Sequence, residues 1–142
     1  MRSHPIQQRN RVTPDELLEH GIRTRREVLG IDLPPPAAGT EAFFNAYADS
    51  VLRWCWGEVW NRPGLDRRSR SVATLAILVT LGKQEELRLH VQAALRNGLS
   101  AEEIREVVLH STVYAGVPAG GSAFQTVLAT LKDLGELSKE AS

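Results

Sequence analysis

The chain is poor in cysteine, which thiol redox chemistry, disulfides and cysteine-rich metal sites require. Its 142 residues include one cysteine, Cys55, which excludes a disulfide framework within the chain and a cysteine-rich zinc site. It has no excess of either charge: basic and acidic residues balance at 17 each, so no field is built for nucleic acid or an anionic membrane. It lacks a long apolar run. The longest uncharged apolar stretch, Val72 to Gly82, is too short to span a bilayer. The N-terminus, Met1 to Val12, is polar and basic and has no apolar core of signal-peptide type, so a cytoplasmic protein is expected. No repeat, low-complexity segment or sustained strand alternation is present. Also missing are a glycine-rich phosphate loop after a strand, a His-x-x-x-His pair and a Gly-x-Ser-x-Gly elbow.

What remains reads as helices. The length fits one domain with a sizeable core, taken as residues 13–142 after a disordered tail over 1–12. Thr13-Pro14-Asp15-Glu16 is a capping box with proline at the first helical position, and the helix it opens should end near Gly30. Pro34-Pro35-Pro36 makes a stiff connector. A second helix is expected from Thr40-Glu41 to about Trp60, broken by Arg62-Pro63-Gly64. Asp66 can cap a third helix that Gly82 stops; a fourth runs from about Gln84 to Arg96 and ends at Asn97-Gly98. Ser100-Ala101-Glu102-Glu103 is another capping box, opening a helix to about Tyr114. Gly116 and Pro118 interrupt, and a last helix fills Gly120 to Leu137. The fold class is all-α, with about six helices.

Candidate chemistry sits at helical spacings. Trp56 and Trp60 share a face one turn apart, and Glu58 between them points elsewhere. Alone, they read most simply as core or interface aromatics with a solvated glutamate. Trp54 and Trp60 cannot share one stripe, so at least one tryptophan must leave the core face. Arg62, Arg67, Arg68 and Arg70 cluster around a helix start, where the dipole prefers acids; a bound anion or a solvated basic turn would account for them. Glu86 and His90 can meet at i, i+4 beside Leu87, Val91 and Ala94. A carboxylate there is expected to raise the His90 pKa and favour imidazolium, a proton donor near neutral pH; a surface ion pair or a satisfied core histidine is the plainer reading. His110 and Tyr114 form a similar pair before the small-residue run Ala115 to Ser122, which suits close backbone approach or a packing break.

Read together, these segments resemble the γ-carboxymuconolactone decarboxylase family. The resemblance rests on Gly21-Ile22-Arg23-Thr24-Arg25-Arg26-Glu27-Val28-Leu29-Gly30, Trp56-Gly57-Glu58-Val59-Trp60-Asn61-Arg62-Pro63-Gly64-Leu65, Arg70-Ser71 and Glu85-Glu86-Leu87-Arg88-Leu89-His90. Asn97-Gly98-Leu99-Ser100-Ala101-Glu102-Glu103-Ile104 and Tyr114-Ala115-Gly116-Val117-Pro118-Ala119 follow in the same order, so nearly the whole chain, about 20–137, is covered. The wider superfamily holds alkyl-hydroperoxidase-D-like thiol enzymes with Cys-x-x-Cys-x-x-x-His on the equivalent helix. Here Lys83, Glu86 and His90 occupy those positions, and without a thiol pair peroxide reduction is disfavoured. Relatives usually carry Asn where this chain has Gly120 or Gly121.

The resemblance implies an alkyl-hydroperoxidase-D-like helical fold, homo-oligomers built from dimers into a hexamer, no metal and no organic cofactor. It implies decarboxylation of 4-carboxymuconolactone to 3-oxoadipate enol-lactone, a step of aromatic-acid (β-ketoadipate) breakdown on a small dicarboxylate lactone. On that premise Arg62 and Arg70 suit the substrate carboxylates, and His90, oriented by Glu86, suits the developing oxyanion or the proton. Trp56 and Trp60 suit apolar walls, Tyr114 a substrate contact, and Glu58 is an alternative acid–base group. A related decarboxylase or isomerase on another small lactone or β-keto acid, and a non-catalytic helical oligomer, are the competing readings.

Overall fold

A computed structural model of the chain describes residues 12–137. The expected disordered tail, apart from Val12, therefore lies outside the described residues. Among the described residues the regular structure is helical: α1 Pro14–Leu29, α2 Glu41–Val51, a π-helical segment Leu52–Glu58, a 3-10 turn Val59–Asn61, α3 Arg67–Leu81, α4 Gln84–Arg96, α5 Ala101–Ala115 and α6 Val117–Asp133. The chain gathers into two compact units. One takes the chain up to Thr24 together with Leu33–Asn61; the other takes Arg25–Asp32 together with the chain from Arg62 onward.

In the first unit, α1 begins as its capping box dictates. The Thr13 backbone N–H donates to Glu16 Oε2 at 2.7 Å and the Glu16 N–H donates to Thr13 Oγ1 at 3.2 Å. The second expected helix is not one regular helix. It runs as α2, widens into the π-helical segment and tightens into the 3-10 turn. Two glycines admit a close backbone crossing in this stretch. A Cβ at Gly21 would collide with the carbonyl oxygen of Leu52, and one at Gly57 would collide with that of Leu17. Glycine at both places lets the α1 backbone and the π-helical backbone touch directly, which no pair of larger residues permits.

The second unit is built from the remaining helices around one apolar core. Leu75 and Val79 of α3, Leu87, Val91 and Ala94 of α4, Ile104 and Val108 of α5, and Ala123, Val127 and Leu131 of α6 form it. These positions recur at three- and four-residue steps, so each helix turns one stripe inward. The ends follow the expected signals. Asp66 caps α3 by accepting from the Ser69 N–H at 2.7 Å, and Gly82 closes it in the left-handed conformation at φ 66°. Ser100 and Glu103 form the complete capping box of α5. One boundary differs: α6 begins at Val117, with Gly116 as its N-cap, and not at Gly120. Pro118 lies in the first turn, where the missing N–H costs nothing, so it starts the helix where a break was expected.

Candidate active site

The residues singled out by spacing fall into local pairs, each held by its own element. In the first unit, Trp56 and Trp60 stack with ring centroids 5.1 Å apart and planes 23° from parallel. Both are buried, whereas Trp54 is 70% exposed, so one tryptophan does leave the core face. Glu58 lies exposed on the π-helical segment between the stacked rings' residues. The segment's end is tied down by Asn61, which the sequence reading passed over. Its Nδ2 donates to the carbonyls of Trp56 at 2.7 Å and Gly57 at 3.0 Å, and its Oδ1 accepts from the buried Thr24 hydroxyl at 3.0 Å. The signal was available: an asparagine next to an aromatic at a helix end, where backbone carbonyls lose their partners.

Cys55 is half-buried on the same segment. Burial pushes its thiol pKa up, and a hydrogen bond donated by the Trp60 indole N–H to the sulfur opposes this in part. A thiol held in its neutral form is a poor nucleophile, which agrees with the missing cysteine pair.

In the second unit the arginine cluster is largely committed. Arg67 pairs with Glu27 at 2.6 Å and Arg68 with Glu103. Arg70 donates from Nε to the Leu65 carbonyl and from Nη2 to the Arg62 carbonyl, both at 3.1 Å. Arg62 is exposed at the start of that turn. The basic turn is thus a braced loop, with Arg62 at its outer edge.

Glu86 and His90 lie on α4 as their spacing requires, Glu86 exposed and His90 half-buried. The expected pKa direction is reversed. Burial lowers the His90 pKa below its ordinary value, and the nearby Glu86 carboxylate only partly opposes this. Removing the imidazolium from water costs more than one exposed carboxylate returns. Burial therefore favours the neutral imidazole of His90 in the free protein.

Tyr114 lies against His110, ring centroids 5.1 Å apart and tilted by 51°; the tyrosine is 80% exposed. The glycines beyond it separate into two kinds. A Cβ at Gly120 would collide with the Thr112 side chain, while one at Gly121 meets nothing within 4 Å. Gly120 is required by packing, so of the two only position 121 has room for a side chain. Among the described residues no group of three or more His, Cys, Asp or Glu side chains is placed to hold a metal ion.

Comparison with known proteins gives the family. Residues 45–129 match the model of the carboxymuconolactone decarboxylase family. A 4-carboxymuconolactone decarboxylase of Acinetobacter baylyi is 38% identical over 122 residues, covering 85% of this chain and 91% of the relative. A nitrosuccinic acid decarboxylase of Metarhizium robertsii is 37% identical over 122 residues, 85% of this chain and 83% of that protein. An uncharacterised 15.0 kDa protein of Paracoccus denitrificans is 31% identical over 80 residues, 55% of this chain and 59% of its own.

Proposed function

The chain belongs to the carboxymuconolactone decarboxylase family, and from that premise we propose that it is a carboxy-lyase converting 4-carboxymuconolactone to 3-oxoadipate enol-lactone and CO2. The observation that carries the reading is the extent of the likeness to the Acinetobacter enzyme, which spans both compact units. The reaction suits a protein without an electron-accepting cofactor, because the substrate holds its own sink. The bond to the departing carboxylate breaks, and its electrons pass through the ring double bond onto the lactone carbonyl. The resulting oxyfuran-like dienolate then takes one proton on ring carbon.

Three tasks fall to side chains. Arg62 holds a substrate carboxylate, for which a planar guanidinium is well shaped. Tyr114 contributes from an exposed position, whereas Trp56 and Trp60 are buried as a stacked pair in the other compact unit. His90 serves the oxyanion and the proton. Burial favours its neutral form in the free protein, but a dianionic substrate beside it restores the imidazolium, so the proton enters with the substrate. Glu86 supports that charged form; Glu58 is the other carboxylate able to act in acid–base chemistry.

The same proposal includes a cytoplasmic homo-oligomer. Among the described residues no helix is long and apolar enough to cross a membrane. Phe43, Tyr47 and Trp54 are 87, 72 and 70% exposed along α2 and its π-helical extension. Aromatic surface of this kind is typical of subunit contacts. We place the contact there; sedimentation at micromolar protein checks it, and a fully active monomer contradicts it.

A second reading is favoured by the nitrosuccinic acid decarboxylase likeness. Nitrosuccinate and carboxymuconolactone share a skeleton: the departing carboxylate sits on a carbon that also bears a CH2-carboxylate and an electron-accepting group. A nitro group accepts the electrons as a nitronate, as the unsaturated lactone accepts them as a dienolate. Incubation with each compound, following enol-lactone formation or CO2 release, decides between them. Turnover of the lactone is expected, and a protein inert toward it but active on nitrosuccinate transfers the assignment to the second substrate.

A further inference from the structure

We infer that Arg70 is a positioning residue that acts through Arg62, and that it does not itself bind the substrate. Its guanidinium reaches back from the first turn of α3 and spans two carbonyls of the preceding turn, those of Arg62 and Leu65, each at 3.1 Å. The turn is exposed to solvent from Arg62 to Asp66. Pro63 has no N–H to donate, a Cβ on Gly64 would meet nothing within 4 Å, and Leu65 is 45% exposed. Its far end is anchored by α3, where Asp66 caps the Ser69 N–H and accepts the Arg70 N–H at its carbonyl. Arg70 supplies the matching anchor at the near end.

The neighbouring arginines show why this use is distinctive. Arg67 and Arg68 each pair with a carboxylate. Arg70 spends Nε and Nη2 on neutral carbonyls and has no carboxylate partner among the described residues. A guanidinium reaches both carbonyls with two coplanar N–H groups; the single ammonium of lysine does not reproduce that spacing. The bracing fixes the backbone of Arg62 and so limits where its side chain can reach. The functional half of this inference rests on the decarboxylase reading; the bracing half does not.

Two measurements on the intact protein test it. Hydrogen exchange compares wild type with Arg70→Lys, which keeps the charge. Exchange across residues 62–66 is expected to quicken by about fivefold or more, while α4 and α5 stay as protected as before. Unchanged exchange in the turn overturns the inference. The second is a double-mutant cycle in KM for 4-carboxymuconolactone. Arg70→Lys is expected to raise KM by about tenfold in the wild type but by less than about twofold when Arg62→Ala is already present. Equal effects in both backgrounds overturn it, because they mean that Arg70 contacts the substrate through its remaining edge or acts elsewhere. A wild type that does not turn over the lactone refutes the decarboxylase reading, and the exchange measurement then still decides whether Arg70 braces the turn.

Discussion

The helix carrying His90 and the segment carrying the stacked tryptophans are held in opposite ways. In α4 the side chains do the work: Leu87, Val91 and Ala94 are fully buried, and the backbone is a regular helix that any good helix former continues. Between Leu52 and Asn61 the backbone does the work. Glycines admit a direct crossing with α1, and Asn61 with Thr24 secures the carbonyls at the end. The difference teaches where each region is fragile. The first tolerates change wherever its apolar stripe is kept; the second fails on the addition of a single methyl group.

The largest expected effect follows from that contrast. Gly21→Ala puts a methyl group into the Leu52 carbonyl and should cost about 3 kcal/mol of stability, as overpacking without room to yield does. Gly121→Ala, in open space on α6, should be neutral or slightly stabilising by helix propensity. Urea melts of the two variants measure the difference directly. Equal stabilities would mean that the crossing is not close.

Next in size is His90→Gln, expected to lower kcat by roughly 10²-fold while the apolar face of α4 keeps the fold intact. Near wild-type turnover would remove His90 from the mechanism. Smaller again is Asn61→Ala, which leaves the Trp56 and Gly57 carbonyls and the Thr24 hydroxyl without that partner. A loss of about 1–2 kcal/mol is expected, with a changed near-ultraviolet circular dichroism signal from the stacked indoles. An unaltered indole signal would show that the stacked pair does not depend on Asn61.

Much of the second unit was legible in the sequence because its signals are local. Asp66, Gly82 and the Ser100–Glu103 box mark helix ends through hydrogen bonds made within a few residues, and the core stripes repeat at the helical period. The π-helical segment was not legible. Its close crossing joins Gly57 to the distant Leu17, and the aromatic spacing of Trp56 and Trp60 fits either helix. Pro118 was read as a breaker because a proline's meaning depends on which turn it occupies. Among the candidate residues, the local pairings of Trp56 with Trp60 and of His110 with Tyr114 were readable. The sign of the His90 shift was not, since it depends on how deeply the ring is buried, which spacing does not fix. The carbonyls that occupy the fork of Arg70 were not readable either, because sequence shows the charge and hides its partners.

The reversed His90 shift also has a consequence for stability, the smallest of these effects. A folded-state imidazole pKa below the ordinary 6.5 means that the unfolded chain binds the proton more readily. The stabilisation is complete above 6.5 and is lost as pH falls from there through the depressed folded-state value. The wild type should therefore lose stability relative to His90→Gln across that window, and parallel stability curves would show that His90 is not protected from protonation.

The central claim, decarboxylation assisted by a proton that His90 takes up with the substrate, is tested most directly by the pH dependence of kcat/KM for 4-carboxymuconolactone in wild type and His90→Gln. Free His90 is neutral above its lowered pKa, so wild-type kcat/KM should fall as pH rises through and beyond that point, by about tenfold per pH unit on the limb. That limb should be absent in His90→Gln. A wild-type profile that rises with pH, or one that survives unchanged in the variant, would contradict the account.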